Sequence, residues 1–197
     1  MGRPSKFNRL EALATLKGEI WTNGFELSSV KSLSEKLGIT RSSFYNSFKS
    51  REDLFEELLD DYSQAINGKE IFSIKENENV LFTITKKMEL ICLYMVNDQD
   101  KRGCLAVSNI QDVVNKNERL DTYINTFFSM NVEHFVKVLN IAISRGELNP
   151  CDTRIKAIAL QNLMVGISEM SKIFRKESEL WAAIKETLKG LELYGEH

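Results

Sequence analysis

The sequence predicts an all-α protein of about nine helices. Apolar residues recur at every third or fourth position through nearly the whole chain, whereas the alternation typical of strands is scarce. Proline, which disrupts a helix interior, occurs only at Pro4 and Pro150. With 197 residues, of which 43% are hydrophobic and 27% charged, the chain has the composition of an ordinary globular protein with one large or two modest cores.

Each predicted helix follows from an apolar stripe bounded by capping or breaking residues. Asn23-Gly24 is a typical C-terminal signal, and Gly38 breaks the second helix. Ser28 or Ser29 can cap the second helix and Thr40 the third, and Ser50 with Asp53 forms a capping box before the fourth. The predicted ranges are 7–21, 29–37, 40–45, 50–66, 81–95, 104–115, 120–144, 152–175 and 178–193.

The most polar and break-rich part of the chain contains "NGKE" and "KENEN", between residues 67 and 79. We place a domain boundary there. The predicted division is an N-terminal domain at 1–50, a connecting fourth helix at 51–66, and a larger C-terminal domain at 67–197.

The segment "LSEKLGITRSSFYNSF", residues 33–48, predicts a helix-turn-helix. Gly38 permits the positive φ of the turn, and the apolar residues Leu33, Leu37, Phe44 and Phe48 form a side that can be buried. The opposite side of the third helix carries residues suited to phosphates and base edges. These are Thr40, Arg41, Ser42, Ser43, Tyr45 and Asn46.

The net charge of −2 is unevenly distributed. Residues 1–51 contain nine Lys or Arg and four Glu, a net charge of +5, so the remainder carries −7. A basic front on an acidic body is typical of a module that binds a polyanion. Chance clustering of charges on solvated helix faces is the alternative.

In the segment "IWTNGFELSSVKSLSEKLGITRSSFYNSFKSREDL", residues 20–54, the sequence resembles the N-terminal DNA-binding domain of the TetR family of transcriptional regulators. The resemblance covers about residues 7–55. Ser42 stands where the family often has Gly, Ser47 where it often has His, and Arg51 where it often has Lys.

The resemblance implies how the chain would contact double-stranded operator DNA. The third helix, from Thr40 to Asn46, would be the recognition helix in the major groove. Ser29, Tyr45, Lys49 and Arg51 would hold the DNA backbone. Arg3 and Lys6 would form an arm in the flanking minor groove, although such basic tails are also often simply solvated.

The family also implies a homodimer, which would place two recognition helices on two half-sites. The eighth and ninth predicted helices carry more apolar surface than one core needs. The predicted interface consists of Ala159, Leu163, Gly166, Ile167, Met170, Phe174, Trp181, Ile184 and Leu188. The alternative is that both helices serve only the core of one protomer.

In the family, a cavity in the C-terminal domain binds a small-molecule effector. Aromatic and methionine side chains with a few polar groups favour an apolar or aromatic compound. The predicted pocket residues are Met88, Cys92, Met95, Cys104, Phe127, Met130, His134, Gln161 and Met164. Each of them also fits a plain core position.

Cys104 follows Lys101, Arg102 and Gly103 at the start of the sixth predicted helix. Nearby cations and a helix N-terminus lower a thiol pKa, so the pattern predicts a reactive thiol. The segment is similar to a Gly-Cys-Leu element of some TetR-family members, including ones that sense electrophiles or oxidants. An inert buried thiol is the alternative.

The functional prediction is a homodimeric, cytoplasmic repressor released from DNA by a small apolar, aromatic or electrophilic effector. The alternative is a small-molecule-binding helical protein that has lost DNA binding. An enzyme is not expected, because no phosphate-binding loop or catalytic constellation is present. With two histidines and three cysteines lacking a CxxC pair, we predict no metal, cofactor or disulfide framework. No apolar run is long enough for a membrane span.

Overall fold

The computed structural model describes residues 8–67 and 74–196, and ten α-helices lie within them. The all-α prediction is confirmed. The helices are α1 (Arg9–Asn23), α2 (Val30–Leu37), α3 (Arg41–Phe48), α4 (Arg51–Asn67), α5 (Val80–Asn97), α6 (Leu105–Ser108), α7 (Ile110–Val113), α8 (Glu118–Ser144), α9 (Thr153–Met170) and α10 (Glu177–Gly190).

The predicted sixth helix is two short helices, α6 and α7, which meet at Asn109. The fully buried side chain of Asn109 donates from Nδ2 to the Leu105 carbonyl at 2.9 Å and accepts the Phe25 N–H at 2.7 Å. Its backbone leaves the helical region, with φ −106° and ψ 0°. A side chain that bonds the backbone in this way competes with continuous helix, and it breaks the helix here.

The predicted N-caps of α2 and α3 are confirmed. Ser29 and Thr40 are the N-caps of α2 and α3, and Gly38 ends α2 in the left-handed region with φ 65° and ψ 30°. The predicted capping box is only half formed. The Ser50 hydroxyl accepts the Asp53 N–H at 2.9 Å and donates to Asp53 Oδ2, but the Ser50 N–H bonds the Phe48 carbonyl rather than the Asp53 carboxylate.

The buried apolar side chains form two clusters, one of which we call the N-terminal core. It combines α1–α4 with Leu105 and Ala106 of α6, Val113 of α7, and Leu120 and Ile124 of α8. The second core joins α5 and the later parts of α8 to α9 and α10. The short helices α6 and α7 therefore pack with the N-terminal helices, although the whole of α5 separates them in the sequence. The predicted division at residue 67 remains a prediction.

Candidate nucleic-acid interface and effector cavity

The helix-turn-helix is held from one side by buried apolar residues. Leu33 of α2 and Phe44 of α3 are fully buried, and Phe48 is 2% exposed. The centres of the Phe44 and Phe48 rings lie 5.2 Å apart. Burying each side chain of this size stabilises the fold by about 1.5–3 kcal/mol. This burial fixes which side of α3 faces outward.

The outward side of α3 consists of polar residues, as predicted. Thr40, Arg41, Ser42, Ser43 and Asn46 are exposed, and Tyr45 is 50% exposed. Ser47, by contrast, is half-buried. The Thr40 hydroxyl accepts the Ser43 N–H at 3.1 Å, so it fixes the first turn of α3 while its side chain remains accessible.

The hydroxyl at the start of α2 has the same arrangement. Ser29 is exposed, and its Oγ accepts the Ser32 N–H at 3.1 Å. The first turns of α2 and α3 therefore both present an accessible hydroxyl beside helix N-terminal N–H groups, an arrangement that suits phosphate oxygens.

Acidic residues pair with part of the positive charge of the N-terminal region. In the described residues, ion pairs join Arg9 to Glu57 at 2.6 Å, Lys17 to Asp61 at 2.7 Å, and Lys36 to Glu19 at 2.9 Å. These three cations are partly neutralised, so the charge available to a polyanion is smaller than the sequence total.

Three exposed cations of the helix-turn-helix form no salt bridge within residues 8–67 and 74–196. They are Lys31, Arg41 and Lys49. Lys31 is absent from the predicted DNA-binding residues. Lys31 stands out only because other cations of this region, such as Lys36, are paired with acidic residues. The sequence does not show which cations are paired, so it does not single out Lys31.

Arg51 is turned toward the protein. Its guanidinium lies 4.1 Å from the centre of the Phe25 ring, and Nη1 donates to the carbonyls of Phe25 at 3.3 Å and Ser28 at 3.4 Å. The side chain thus ties the first turn of α4 to the loop between α1 and α2. The structure shows this anchoring role, whereas the predicted contact of Arg51 with DNA would require these bonds to rearrange.

Lys49 occupies an unusual backbone conformation. Its φ is 61° and its ψ is −65°, and the Ser50 N–H donates to the Phe48 carbonyl at 2.7 Å. This is the strained form of the γ-turn, which costs a residue with a Cβ about 1–3 kcal/mol. The turn connects α3 to α4 and leaves the Lys49 side chain exposed. The predicted arm residues Arg3 and Lys6 lie outside the described residues.

A cavity of about 40 Å³ lies between α4, α5, α6, α8 and α9. Of the predicted pocket residues, Met95, Cys104, Phe127, Gln161 and Met164 line it. Phe128 also lines it, as do Tyr62, Ile91, Val107, Asn131 and Val165.

Tyr62 of α4 is a cavity residue that the sequence pattern does not single out. It continues the buried stripe formed by Phe55, Leu58 and Leu59 along the helix. Helical periodicity therefore predicts that Tyr62 points inward, but not that it lies at a cavity.

The other predicted pocket residues lie elsewhere. Met88 and Cys92 are buried in the α5 part of the second core. Met130 and His134 lie on an open groove along the outer side of α8, and Met130 is 67% exposed. The inward residues Phe127 and Asn131 are four apart, and so are Met130 and His134. Periodicity therefore identifies two stripes on this helix without showing which of them faces inward.

The predicted lowering of the Cys104 pKa is wrong. Burial raises the pKa of this thiol, and the nearby Lys172 ammonium opposes the change without reversing it. Arg102 instead pairs with Asp98, with 2.7 Å between Nη2 and Oδ1, and its guanidinium lies 4.5 Å from the Trp21 ring centre. The resting thiol is therefore protonated at neutral pH.

The predicted dimer residues fall into two groups. Ile167, Ile184 and Leu188 are at most 2% exposed and pack in the second core, so they do not belong to an accessible surface. Met170 and Phe174 are exposed, and Ala159, Leu163, Gly166 and Trp181 are half-buried. Further exposed apolar residues lie on or beside α9: Ile155, Ile158 and Ile173.

The part of the chain that the structure describes contains no metal-binding cluster. Within 8–67 and 74–196, no group of three or more His, Cys, Asp or Glu side chains is arranged to hold a metal ion. In the same ranges, no helix is both long enough and apolar enough to cross a membrane. All three cysteines are free thiols.

Comparisons with known proteins agree with this geometry. The sequence profile for "Bacterial regulatory proteins, tetR family" matches residues 13–58, from within α1 into α4. The HTH-type transcriptional repressor ComR of Escherichia coli K12 is 25% identical over 169 residues, which cover 85% of this chain and 80% of ComR.

Two solved structures share the fold. A cysteine mutant of the TetR family transcriptional regulator CifR, complexed with 26-bp operator DNA, matches with a TM-score of 0.82 at 23% identity, over 95% of this chain and 98% of CifR. AibR in complex with isovaleryl coenzyme A and operator DNA matches with a TM-score of 0.69 at 14% identity, over 92% of this chain and 96% of AibR. Residues 13–58 therefore match the DNA-binding domain of the TetR family of transcriptional regulators, and the chain is similar to proteins of this kind in sequence and in fold.

Proposed function

We propose that the protein is a homodimeric, cytoplasmic repressor that a small apolar, aromatic or electrophilic effector releases from double-stranded operator DNA. The observation that carries the proposal is the outward side of α3. Arg41, Tyr45 and Asn46 are exposed there, opposite the buried Phe44 and Phe48. The name of ComR as a repressor and the operator complex of CifR support it.

The proposed contacts divide into base readout and backbone attachment. Arg41, with exposed Ser42, Ser43 and Asn46, would read base edges in the major groove. Lys31 and Lys49, together with the hydroxyls of Ser29, Thr40 and Tyr45, would hold phosphates. Arg3 and Lys6 remain proposed arm residues. Because one short helix reads only a few base pairs, two copies about 34–36 Å apart would be needed.

The proposed dimer surface is a partly exposed stripe of α9. Ala159, Gly166 and Met170 follow one another at spacings of seven and four residues, so they lie along one side of the helix. The stripe continues into Phe174, which is 40% exposed. Small residues allow helices to approach closely, and the exposed apolar area would be removed from water by a second copy.

The route from the cavity to the DNA-binding helices would run through α6 and α7. The Phe25 N–H donates to Asn109, and the Glu26 N–H donates to Asp112 Oδ2 at 3.1 Å. Both acceptors belong to the segment that starts at the cavity residue Cys104. An effector that displaces this segment would change the angle of the helix-turn-helix and shift the population away from the DNA-binding state.

An electrophilic effector would add to the Cys104 thiol. In a conjugate addition to an α,β-unsaturated carbonyl compound such as a quinone, sulfur bonds to the β carbon, the carbon–carbon π bond breaks, and the thiol proton is transferred to the α carbon. If a Cys104→Ser variant is released from DNA by quinones as readily as the unmodified protein, the electrophilic part of the proposal is wrong.

A selection from a random-sequence pool of duplex DNA tests the proposal. We expect a two-fold symmetric consensus, bound with an affinity that falls steeply as salt rises. Absence of any sequence preference would contradict it. That result would favour the alternative, a small-molecule-binding protein that has lost DNA binding. The inward direction of Arg51, which bonds the protein's own backbone, is consistent with this alternative.

A further inference from the structure

Two buried polar atoms at the cavity have no hydrogen-bond partner among the described residues. They are Oη of Tyr62, which is 5% exposed, and Oε1 of Gln161, which is 9% exposed. The Cys104 thiol and the Leu105 N–H lie near the Tyr62 hydroxyl, but neither contact has the geometry of a hydrogen bond, and a thiol is a weak partner. Both residues line the same cavity. Buried polar groups are nearly always hydrogen-bonded. Two unpaired polar atoms at one cavity therefore indicate that a hydrogen-bonding molecule binds in it.

The two atoms have complementary chemistry. The phenol hydroxyl donates a hydrogen bond and the amide oxygen accepts one. Ile91, Met95 and Met164 supply an apolar wall. A cavity of about 40 Å³ has room for about three water molecules, or for a compound of similar size. A suitable ligand is therefore small and neutral, and it both accepts and donates.

We propose that Tyr62 and Gln161 bind a small neutral effector through its hydroxyl or carboxamide group, and that Tyr62 transmits this binding to the DNA-binding helices. The inference rests on the proposed function and names the ligand class and the residue that responds. Covalent reaction at Cys104 is not required for it.

The ring of Tyr62 connects the cavity to α1. It packs edge-on against Trp21, with 4.9 Å between the ring centres and an angle of 84° between the planes. Trp21 is buried in the N-terminal core, and Arg102 lies 4.5 Å from its ring centre. A hydrogen bond that reorients the phenol therefore acts on α1 through direct ring contact.

Propionamide and butan-2-one form a matched pair of probes. They have similar size and shape, but only propionamide can donate to Gln161. A ligand of so few atoms binds no tighter than about the micromolar range, so titrations extend to millimolar concentrations. With Trp181→Phe as background, Trp21 is the only tryptophan and its fluorescence reports binding.

We expect propionamide to change the Trp21 emission and to bind more tightly than butan-2-one. Tyr62→Phe keeps the ring and should weaken propionamide binding by about 3- to 10-fold, as should Gln161→Leu. Tyr123→Phe is the control, because its hydroxyl bonds Asp60 outside the cavity. Thermal unfolding confirms that each variant is folded, and Gln161→Met replaces Gln161→Leu if needed.

The DNA-binding measurement separates the two proposals. Release of Tyr62→Phe from the selected DNA should require a propionamide concentration at least about 3- to 10-fold higher than release of the unmodified protein, whereas Tyr123→Phe should be released like the unmodified protein. Absence of DNA binding by the unmodified protein would contradict the proposed function. Normal DNA binding with equal propionamide responses in all variants, or a crystal structure with water alone in the cavity at saturating propionamide, would overturn the present inference.

Discussion

Asn109 bonds Phe25 across 84 positions of sequence, with 2.7 Å between Oδ1 and the backbone nitrogen. Both residues are buried, and the same side chain also satisfies the Leu105 carbonyl. One amide therefore joins the break between α6 and α7 to the loop between α1 and α2. This contact connects the cavity segment to the helix-turn-helix.

Replacing Asn109 with Ala should destabilise the fold by about 1–3 kcal/mol, because the Phe25 N–H and the Leu105 carbonyl lose their buried partner. Chemical denaturation measures the change. Asn97→Ala is the control: Asn97 also donates to a carbonyl four residues earlier, at 2.9 Å, but it is exposed. That variant should change stability by less than about 0.5 kcal/mol. Equal losses would show that burial of the Asn109 bonds is unimportant.

Gly103 should tolerate a methyl group less well than Gly146. Their φ values are similar, 69° and 72°, so Ala strains the backbone at both by about 1 kcal/mol. A Cβ at Gly103 would lie 2.7 Å from the Ser168 carbonyl oxygen, whereas nothing lies within 4 Å at Gly146. We expect Gly103→Ala to lower the free energy of unfolding by about 1–3 kcal/mol more than Gly146→Ala, measured by denaturation. Similar losses would contradict the close approach of this loop to α9.

Lys49→Gly should separate backbone strain from charge. Glycine adopts a positive φ readily, so the variant should unfold at higher denaturant concentration, with a gain of about 1 kcal/mol. It should nevertheless bind DNA more weakly, because a cation has been removed. A variant that is less stable would show that the γ-turn is not strained in the way its φ of 61° indicates.

Met170→Lys should produce monomers, since it places a charge in the proposed interface. Sedimentation velocity measures the change, and DNA affinity should fall with it because two half-sites can no longer be bound together. Leu90→Lys is the control, since Leu90 is exposed on α5 rather than on α9. If Met170→Lys remains dimeric, the proposed surface is wrong.

The helix-turn-helix is predictable because its signals are local. Gly38, Thr40 and the Ser50 hydroxyl each act within a few residues, and the structure confirms them. The break at Asn109 has no local signal, since Phe25, which holds it, is 84 positions away. The inward turn of Arg51 depends in the same way on a loop that precedes α2 and α3 in the sequence.

The cavity and the dimer surface are only partly predictable. A helical period shows which residues share a side, but not whether a neighbouring helix of the same chain, a cavity or a second copy covers that side. For this reason the pattern does not distinguish the core residues Ile184 and Leu188 from interface residues. It likewise does not show that Met130 lies outside the cavity. Tyr62 could not be predicted as a cavity residue. A buried aromatic residue on α4 has the same sequence pattern whether or not its hydroxyl lies at a cavity.

The most direct test of DNA binding through α3 is the affinity of Arg41→Ala and Lys49→Ala for the selected DNA and for scrambled DNA, measured across a range of salt. Arg41→Ala should lose about 1–3 kcal/mol on the selected site and relax its preference. Lys49→Ala should weaken binding to both DNAs and reduce the salt slope by about 1 for each protomer. Lys36→Ala, whose cation pairs with Glu19, should change little. If neither Arg41→Ala nor Lys49→Ala affects DNA binding, the outward side of α3 does not contact DNA and the proposed function is contradicted.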